Sequence, residues 1–509
     1  MPAMAQPDER AVGRMADPEL AAELQAAARD WPSWSLTDRQ LADLELILNG
    51  AFAPLDGFLG AADHAAVVAG GHLADGTPWP APITLDVTDE IADQAEAAGH
   101  VSLRDPEGVL LAVLEVTDRY RPDRMAEAGA LFGTTDPAHP GADRLLRHTR
   151  DERLGGPVRG VEPPTHWSFV GHRLSPTAVQ AQLAAARAGS VAGLASAEPP
   201  LTTDLDALAA AARSGTRLVV AVLTGPGPAA FDAYTVVRAW LAASAQLPDS
   251  TVVGVVPLAR WGDARIDTAL AELVLRNHGV TDIVATAAAD PQSSPDAIRQ
   301  RLDLGAELPA GAVTPEVEAE LRLGYPPLDE RGLTVFMTGF SGSGKSTVAQ
   351  ALAARLREHG GRSVTLLDGD LVRHHLSSEL GFSREHRDLN IRRIGFVAAE
   401  ITRAGGIAIC APIAPYDGVR RDVRAMVEDA GGFVLVHIST PLEVCEARDR
   451  KGLYARARAG LLGEFTGISD PYEAPTDAEL TVDTTDIDVE QAVTRILDHL
   501  VEAGYLTPS

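Results

Sequence analysis

The residues most suited to chemistry form a glycine-rich loop, GFSGSGKS, from Gly339 to Ser346. The string matches the pattern G-x-x-x-x-G-K-[ST], in which backbone N–H groups surround phosphate oxygens. An apolar strand is predicted directly before the loop, from Leu333 to Thr338, and a helix directly after it. The Lys345 ammonium can neutralise phosphate charge and the Ser346 hydroxyl can ligate Mg²⁺. The loop therefore predicts ATP binding and phosphoryl transfer.

Two acids end the next predicted strand, at Asp368-Gly369-Asp370. In a doubly wound parallel sheet the carboxyl ends of the strands line the ligand crevice, so we expect both carboxylates to face the terminal phosphate. They would serve as Mg²⁺ ligand and as base for an attacking hydroxyl. The predicted catalytic residues are Lys345, Asp368 and Asp370, and the predicted Mg²⁺ ligands are Ser346 and Asp368. A plain tight turn is the alternative, because Asp-Gly is a common turn dipeptide.

A series of cations follows the two acids. It contains Asn390 and is preceded by Phe382, and its arginines are Arg373, Arg387, Arg392 and Arg393. In a chain with a formal net charge of −27, such a cluster predicts a pocket for an anionic substrate. For the last two arginines a solvated helix face is the alternative, and for the phenylalanine a core position. A second basic stretch, Arg448 to Arg458, is typical of a lid that closes over ATP.

The elements that must position these residues are predicted from apolar periodicity. Four strands, LTVFMTG, SVTLLDGD, GIAICAPIA and GFVLVHIST, alternate with helices, which predicts an α/β domain of the P-loop type with a parallel sheet covered by helices on both faces. A Pro- and Gly-rich joint precedes it, at GYPPLDERG. Upstream, strand-like runs PITLDV and GVLLAVLEV predict a mixed α+β or barrel-like domain. The runs TRLVVAVLT, STVVGVVPL and TDIVATAA predict a second α/β domain. The predicted domains are residues 1–165, 166–325 and 326–509.

Composition sets outer limits on function. A chain of 509 residues is too long for one hydrophobic core. No apolar run approaches the roughly 18 to 20 residues that cross a bilayer, so we expect a cytoplasmic protein without a membrane partner. The acidic net charge disfavours nucleic acid as a partner. The two cysteines, Cys410 and Cys445, lie in apolar segments and are expected to be inert core thiols. We expect a homo-oligomer, a dimer or larger.

The last 180 or so residues resemble the adenylyl-sulfate kinases (APS kinases), which act on adenosine 5′-phosphosulfate (APS). The resemblance rests on strings that follow one another in order: GFSGSGKST, LDGDLVRHHL, GFSREHRDLNIRRIG, PLEVCEARDRKGLYARARAG and EFTGISDPYEAP. It implies transfer of the γ-phosphoryl group of ATP to the 3′-hydroxyl of APS. The products would be 3′-phosphoadenosine 5′-phosphosulfate (PAPS) and ADP.

The same resemblance assigns roles residue by residue. It implies that the triphosphate is held by the loop and that Arg448 lies against the adenine of ATP. The implied ATP-binding residues are Gly339, Ser341, Gly342, Ser343, Gly344, Lys345, Ser346, Thr347 and Arg448. The implied APS-binding residues are Asp370, Arg373, Phe382, Arg387, Asn390, Ile413, Lys451 and Phe465.

One departure from the family pattern concerns a serine that the family carries after its third strand. This chain reads PIAPY there, with Ala414 at the serine position. Alanine cannot accept phosphate, which argues against a phosphoenzyme. Direct in-line transfer needs no protein nucleophile, so the departure leaves the predicted reaction possible.

The segment from about Trp34 to Tyr325 resembles ATP sulfurylase, which implies a PUA-like domain followed by a Rossmann-like domain. The family's Q-x-R-N-P-x-H-x-x-H is replaced by LASAEPPLTT, Leu194 to Thr203, and its G-R-D-H-A-G by ATAAAD, Ala285 to Asp290. Without donors for the developing charge, several kcal/mol of transition-state stabilisation would be lost. The sequence therefore predicts a sulfurylase-like region that cannot activate sulfate. Arg260 remains, as a weak nucleotide contact or a structural residue.

Three alternatives stay open at this point. The chain could be a bifunctional PAPS synthase with sulfurylase activity. It could be a non-catalytic sensor that binds PAPS, although the intact phosphoryl-transfer residues speak against this. It could also be a nucleotide or sugar kinase with another acceptor.

Overall fold

The computed structural model describes residues 14–186, 189–212, 216–286, 290–381, 383–449 and 452–507. The chain folds into two compact units. The first comprises Met1–Arg299 and Leu308–Gly324, and the second Gln300–Glu307 and Tyr325–Ser509. The predicted domain boundaries at residues 165 and 325 stay predictions.

The first unit begins with a mixed seven-stranded sheet. Strand β1 pairs with β4 in parallel, and the other pairs are antiparallel in the order β4-β5-β7-β2, with β3 and β6 also pairing with β7. The predicted runs PITLDV and GVLLAVLEV are found as β3 and β5. The strands are β1 (Ser33–Ser35), β2 (Gly57–Phe58), β3 (Leu85–Val87), β4 (His100–Arg104), β5 (Leu110–Glu115), β6 (Asp118–Tyr120) and β7 (Glu152–Gly160). The helices are α1 (Pro18–Ala27), α2 (Asp38–Leu48), α3 (Ala61–Gly70), α4 (Asp89–Ala98), α5 (Arg124–Phe132) and α6 (Pro140–Asp143).

A parallel four-stranded sheet follows in the same unit, in the order β10-β9-β8-β11. The three predicted strands are present as β9, β10 and β11, and β8 is an addition. One hydrophobic core contains residues from both sheets of this unit. The strands are β8 (Val191–Ser196), β9 (Arg217–Leu223), β10 (Val252–Val256) and β11 (Asp282–Ile283). The helices are α7 (Pro176–Ala185), α8 (Thr202–Ala212), α9 (Ala233–Ser244), α10 (Ala264–Asn277), α11 (Pro295–Asp303) and α12 (Pro315–Gly324). The part of α11 from Gln300 onward belongs to the second unit.

The second unit contains an all-parallel five-stranded sheet in the order β13-β14-β12-β15-β16. The four predicted strands are β12 to β15, and β16 is an addition. The strands are β12 (Leu333–Thr338), β13 (Val364–Leu367), β14 (Ile407–Cys410), β15 (Gly432–Ile438) and β16 (Leu480–Val482). The helices are α13 (Lys345–His359), α14 (Gly369–Leu376), α15 (Arg384–Arg403), α16 (Asp417–Glu428), α17 (Leu442–Arg448), α18 (Leu453–Arg458) and α19 (Val489–Glu502).

Strand β12 shows why helices cover both faces of this sheet. Successive side chains of a strand point to opposite faces. Leu333, Val335 and Met337 pack into a core with apolar residues of α13 and α19. Phe336 packs into a second core with apolar residues of α15 and α16. The predicted fold class, a parallel sheet with helices on both faces, is confirmed.

Among the described residues, every helix is too short or too polar to cross a membrane. The cytoplasmic location and the lack of a nucleic acid partner stay predictions.

Candidate functional site

The phosphate loop, residues 339–346, joins β12 to α13 at the carboxyl edge of the sheet, between the strand and the helix that the motif requires. Gly339, Gly342 and Gly344 have φ angles of 149°, 77° and 99°, which residues with a Cβ rarely adopt. A Cβ at Gly339 would also lie 2.4 Å from the carbonyl oxygen of Ile438. Both the backbone conformation and the close approach of β15 therefore require glycine here.

Lys345 is buried in the first turn of α13. Its ammonium group donates to the carbonyl oxygens of Gly339, at 2.8 Å, and Phe340, at 2.6 Å, and lies 3.4 Å from the Ser343 hydroxyl. These contacts hold a positive charge against the loop. Phosphate oxygens could accept from the same three N–H donors. Ser346, next in the helix, is exposed, as a metal-binding hydroxyl must be.

Arg448 is linked to the phosphate loop by hydrogen bonds through Thr484. It donates to the Thr484 hydroxyl at 3.0 Å and to the Thr484 carbonyl at 2.7 Å. The Thr484 hydroxyl in turn donates to the Ser343 carbonyl at 2.9 Å. The structure thus brings Arg448 to the nucleotide side of the site, and its contact with adenine stays a prediction.

The ends of β12, β13 and β14 meet beside the phosphate loop. Ile413 follows β14. Its backbone carbonyl oxygen accepts hydrogen bonds from the Thr338 hydroxyl at 2.7 Å and from the Gly339 N–H at 3.4 Å. Asp368 follows β13, which pairs with β14. A Cβ at Gly369 would lie 3.8 Å from the Cα of Pro412. The Asp368 turn and Ile413 therefore share the edge from which the phosphate loop starts, as predicted for strand ends of a parallel sheet.

Arg387 on α15 is the most connected of the predicted substrate residues. Its guanidinium group donates to the Thr466 hydroxyl at 3.1 Å, to Asp470 at 3.0 Å and to the Tyr416 hydroxyl at 2.8 Å. The Tyr416 hydroxyl donates to the same Asp470 carboxylate at 2.7 Å. Burial and this carboxylate raise the pKa of Tyr416 to about 12, so the hydroxyl keeps its proton. Arg387 is held in one orientation by this network.

Segment 464–473 contacts the phosphate loop as well as Arg387. The rings of Tyr472 and Phe340 lie 4.7 Å apart, and the Tyr472 hydroxyl is hydrogen-bonded to that of Thr338 at 2.9 Å. Phe465, a predicted substrate residue, packs edge-on against Tyr454 with 5.1 Å between ring centroids. The predicted nucleotide and substrate residues named so far therefore meet at one edge of one sheet.

Two other predicted substrate residues have a different environment. Arg373 donates to the carbonyl oxygens of Leu380 and Gly381, at 3.0 and 2.9 Å, so it closes the loop before α15. Asn390 is buried, and its amide oxygen has no hydrogen-bond partner among the described residues. A buried oxygen of this kind requires a donor, which fits a side chain that receives a ligand.

The two arginines that sequence left ambiguous lie in ion pairs. Arg392 is exposed and pairs with Asp422 at 2.9 Å. Arg393 pairs with Glu379 at 2.6 Å. For Arg392 the solvated-face alternative is therefore correct.

Some predicted residues are outside the described part of the chain. Phe382 and Lys451 lie outside it altogether. The backbone of Asp370 belongs to the first turn of α14, whereas its side chain is outside the described part.

Several residues of the site were missed at the level of sequence. Thr466, Asp470 and Tyr472 belong to the string FTGISDPYE, and Tyr454 to KGLY; both strings were identified without a role for these side chains. Tyr416 follows the third predicted strand, so its place at the carboxyl edge was the available signal.

The two cysteines are free and buried. Burial raises the pKa of both thiols, which opposes formation of a reactive thiolate. The expectation of inert core thiols fits this environment.

The carboxyl edge of the sheet in the first unit has different chemistry. Glu198 follows β8, and burial raises the pKa of its carboxyl group. Arg260 follows β10 and donates to the Gly227 carbonyl at 2.9 Å, and its backbone N–H donates to the Pro226 carbonyl at 2.8 Å. Asp204 accepts from the N–H of Leu201 at 2.9 Å. A partly buried carboxyl group, Glu198, and a cation, Arg260, therefore interact at this edge. Of the stretch ATAAAD, residues 287–289 are outside the described part.

Comparisons with known proteins assign the two ends of the chain to different families. A profile of the adenylylsulphate kinase family matches residues 331–483, and a profile of the PUA-like domain matches residues 6–163. The sulfate adenylyltransferase of Phaeosphaeria nodorum is 39% identical, over 95% of this chain and 96% of that protein. The sulfate adenylyltransferase of Emericella nidulans is 38% identical over the same shares.

A solved structure with similar coverage is described as the hexameric APS kinase from Thiobacillus denitrificans. It is 34% identical, with a TM-score of 0.77, and the match covers 97% of this chain and 98% of that one. Since relatives at this identity span nearly the whole sequence, the chain belongs to the family of these full-length sulfate adenylyltransferases and carries an adenylylsulphate kinase domain behind a PUA-like domain.

Proposed function

We propose that this protein is an adenylyl-sulfate kinase, which transfers the γ-phosphoryl group of ATP to the 3′-hydroxyl of APS. The observation that carries the proposal is the meeting of the phosphate loop, Arg387 and segment 464–473 at one sheet edge. The matched kinase profile and the full-length APS kinase neighbour support the choice of acceptor. A phosphate loop alone would leave the acceptor open.

The transfer is proposed to be direct. The 3′-oxygen forms a bond to the γ-phosphorus while the bond from that phosphorus to the β,γ-bridging oxygen breaks. The hydroxyl proton goes to a carboxylate, for which Asp368 and Asp370 are the candidates. Ala414 has a buried side chain without a hydroxyl, so no phosphoenzyme forms at that position.

The donor groups in the site fit Mg²⁺. No group of three or more His, Cys, Asp or Glu side chains in the described ranges could hold a metal alone. Kinase sites hold Mg²⁺ with one or two protein oxygens, substrate phosphates and water. Ser346 and Asp368 supply that number. Bound Mg²⁺ would neutralise charge on the β- and γ-phosphates, and the chain's part is to orient the triphosphate in the loop.

Lysine usage supports the roles of Lys345 and Lys451. They are the two lysines of the sequence, in which lysine and arginine together number 44. All the other residues in that total are arginines. A lysine ammonium is a compact point charge, whereas a guanidinium is a wide planar fork. We infer that these two positions need the compact cation.

The sulfurylase-like region is proposed to be inactive. The stretch Leu194 to Thr203 contains no arginine or histidine, whereas the family pattern has donors for sulfate and phosphorus there. Arg260 is engaged by the backbone at Gly227. Without those donors, the charge that develops in adenylyl transfer would not be stabilised.

Sulfurylase activity is the second candidate function. The observation in its favour is that relatives matching nearly the whole chain are named sulfate adenylyltransferase. On that reading the chain would be bifunctional and make its own APS.

We also propose a homo-oligomeric assembly. The support is that the full-length structural neighbour is described as hexameric.

The kinase proposal predicts ADP release that depends on APS and Mg²⁺. Lys345→Ala should lower kcat/KM by about 100-fold or more, because a charge on the transferring group is lost. Lys345→Arg should also lower kcat/KM if the compact ammonium is needed. Arg355→Ala, a surface change on the same helix that removes an ion pair with Glu490, is the matched control and should keep the rate. Equal ADP release with and without APS would reject the acceptor.

The Arg387 network predicts a specific loss of acceptor affinity. Lysine cannot reproduce the three-way donation of Arg387, so Arg387→Lys should raise KM for APS by about 10- to 100-fold, from hydrogen bonds to charged groups. KM for ATP should change less than about threefold. Arg392→Lys, on the exposed side of the same helix, is the control. An unchanged KM for APS in Arg387→Lys would contradict the assignment.

The sulfurylase-like region is tested by pyrophosphate release from ATP with sulfate or molybdate. We expect a rate no higher than that without enzyme, because Leu194 to Thr203 lacks the arginine and histidines that would stabilise the developing charge. The Emericella nidulans sulfate adenylyltransferase, assayed alongside, serves as the positive control. Sustained release that Arg260→Ala abolishes would instead establish the bifunctional reading.

A further inference from the structure

Tyr454 joins two parts of the site that are distant in sequence. Its hydroxyl donates to the carbonyl oxygen of Ser341, in the phosphate loop, at 2.8 Å. Its ring packs edge-on against Phe465, with 5.1 Å between centroids. The side chain is 1% exposed, so both contacts are shielded from water. Burial raises the pKa of this hydroxyl, which keeps the donor proton in place.

The backbone at Tyr454 is held by residues of α17 and of the turn that follows it. The Asp449 carboxylate accepts from the N–H of Tyr454 at 3.1 Å and from that of Ala455 at 3.0 Å. These hydrogen bonds lower the pKa of the Asp449 carboxyl group, and the bond from the Ala455 N–H has the largest effect. Arg458 and Glu446 form a two-bond ion pair, with both distances 2.9 Å, that ties α18 to α17. These contacts fix the backbone at Tyr454, whereas the ring itself is held by Phe465 and by the Ser341 carbonyl.

The carbonyl that Tyr454 binds has a particular role in the loop. A peptide bond is planar and trans, so the Ser341 C=O and the Gly342 N–H point in opposite directions. A donor that fixes the carbonyl on one side fixes the N–H on the other side. Backbone N–H groups of this loop type are what bind phosphate oxygens. The hydroxyl of Tyr454 thereby sets the direction of a phosphate-binding group that it does not touch.

We infer that Tyr454 is a positioning residue that couples the nucleotide site to the acceptor site. The inference rests on the proposed function, because it takes Phe465 as part of the APS pocket. An acceptor packed against Phe465 restrains that ring, and the ring restrains Tyr454. The restrained hydroxyl holds the Ser341–Gly342 peptide in the orientation that binds phosphate. By linkage, each substrate then tightens binding of the other by the same factor.

A second contact between the same two regions makes the inference testable in a folded variant. Phe340 and Tyr472 pack together independently of Tyr454. Tyr454→Phe keeps the ring that packs on Phe465 and removes the hydroxyl alone. The variant is therefore expected to fold and to lose the orientation of one peptide.

The test is isothermal titration calorimetry with β,γ-imido-ATP and Mg²⁺, with and without saturating APS. In the wild-type protein APS should tighten binding of the analogue by about three- to tenfold, the worth of one neutral hydrogen bond. In Tyr454→Phe that factor should fall to about one, while the affinity for APS alone changes less than about twofold. Tyr505→Phe, the same chemical change at a partly buried tyrosine that follows α19, is the matched control and should keep the wild-type factor.

Each remaining outcome has a definite meaning. A Tyr454→Phe variant that keeps the wild-type factor overturns the inference. So does a variant in which both affinities and the melting temperature fall together, because that is a merely structural role. Wild-type protein that binds both ligands without mutual effect overturns the inference and leaves the proposed function standing. Wild-type protein that does not bind APS contradicts the proposed function itself.

Discussion

The candidate site depends on the way the central strand β12 is held. It is hydrogen-bonded on both sides, to β14 and to β15, and all of its residues are buried. The point at which the strand ends is therefore fixed, and the phosphate loop begins there. Gly339 passes so close to Ile438 that no side chain fits. A rigid start for the loop is what allows backbone N–H groups to be aimed at phosphate without later reorganisation.

Segment 464–473 completes the site by touching both of its halves. Through Asp470 and Thr466 it orients Arg387, and through Tyr472 it packs on Phe340 in the phosphate loop. A kinase must keep water from competing with the acceptor hydroxyl for the γ-phosphoryl group. A segment that is fastened to both halves can align the two substrates and exclude water from between them. The family-like string FTGISDPYE identifies this segment in the sequence, whereas its contacts explain what it does.

The sequence predicted the carboxyl-terminal fold well because its strands are strongly apolar and are separated by long helices. Strand β8 was missed because it is rich in small residues, and β16 because it is three residues long in a polar context. Lys345 and Arg387 were found from charge and motif. Tyr454 and Tyr416 were not given roles, because each is hydrogen-bonded to a residue more than 50 positions away in the chain. No periodicity in sequence encodes such a pairing.

In the proposed reaction, one sheet edge brings the triphosphate and APS into line. The most direct measurement is a crystal structure of the protein with β,γ-imido-ATP, Mg²⁺ and APS bound together. We expect the 3′-oxygen of APS about 3 to 3.5 Å from the γ-phosphorus, with Arg387 and Phe465 in contact with APS. APS bound in the first unit, or at an edge remote from the phosphate loop, would contradict it.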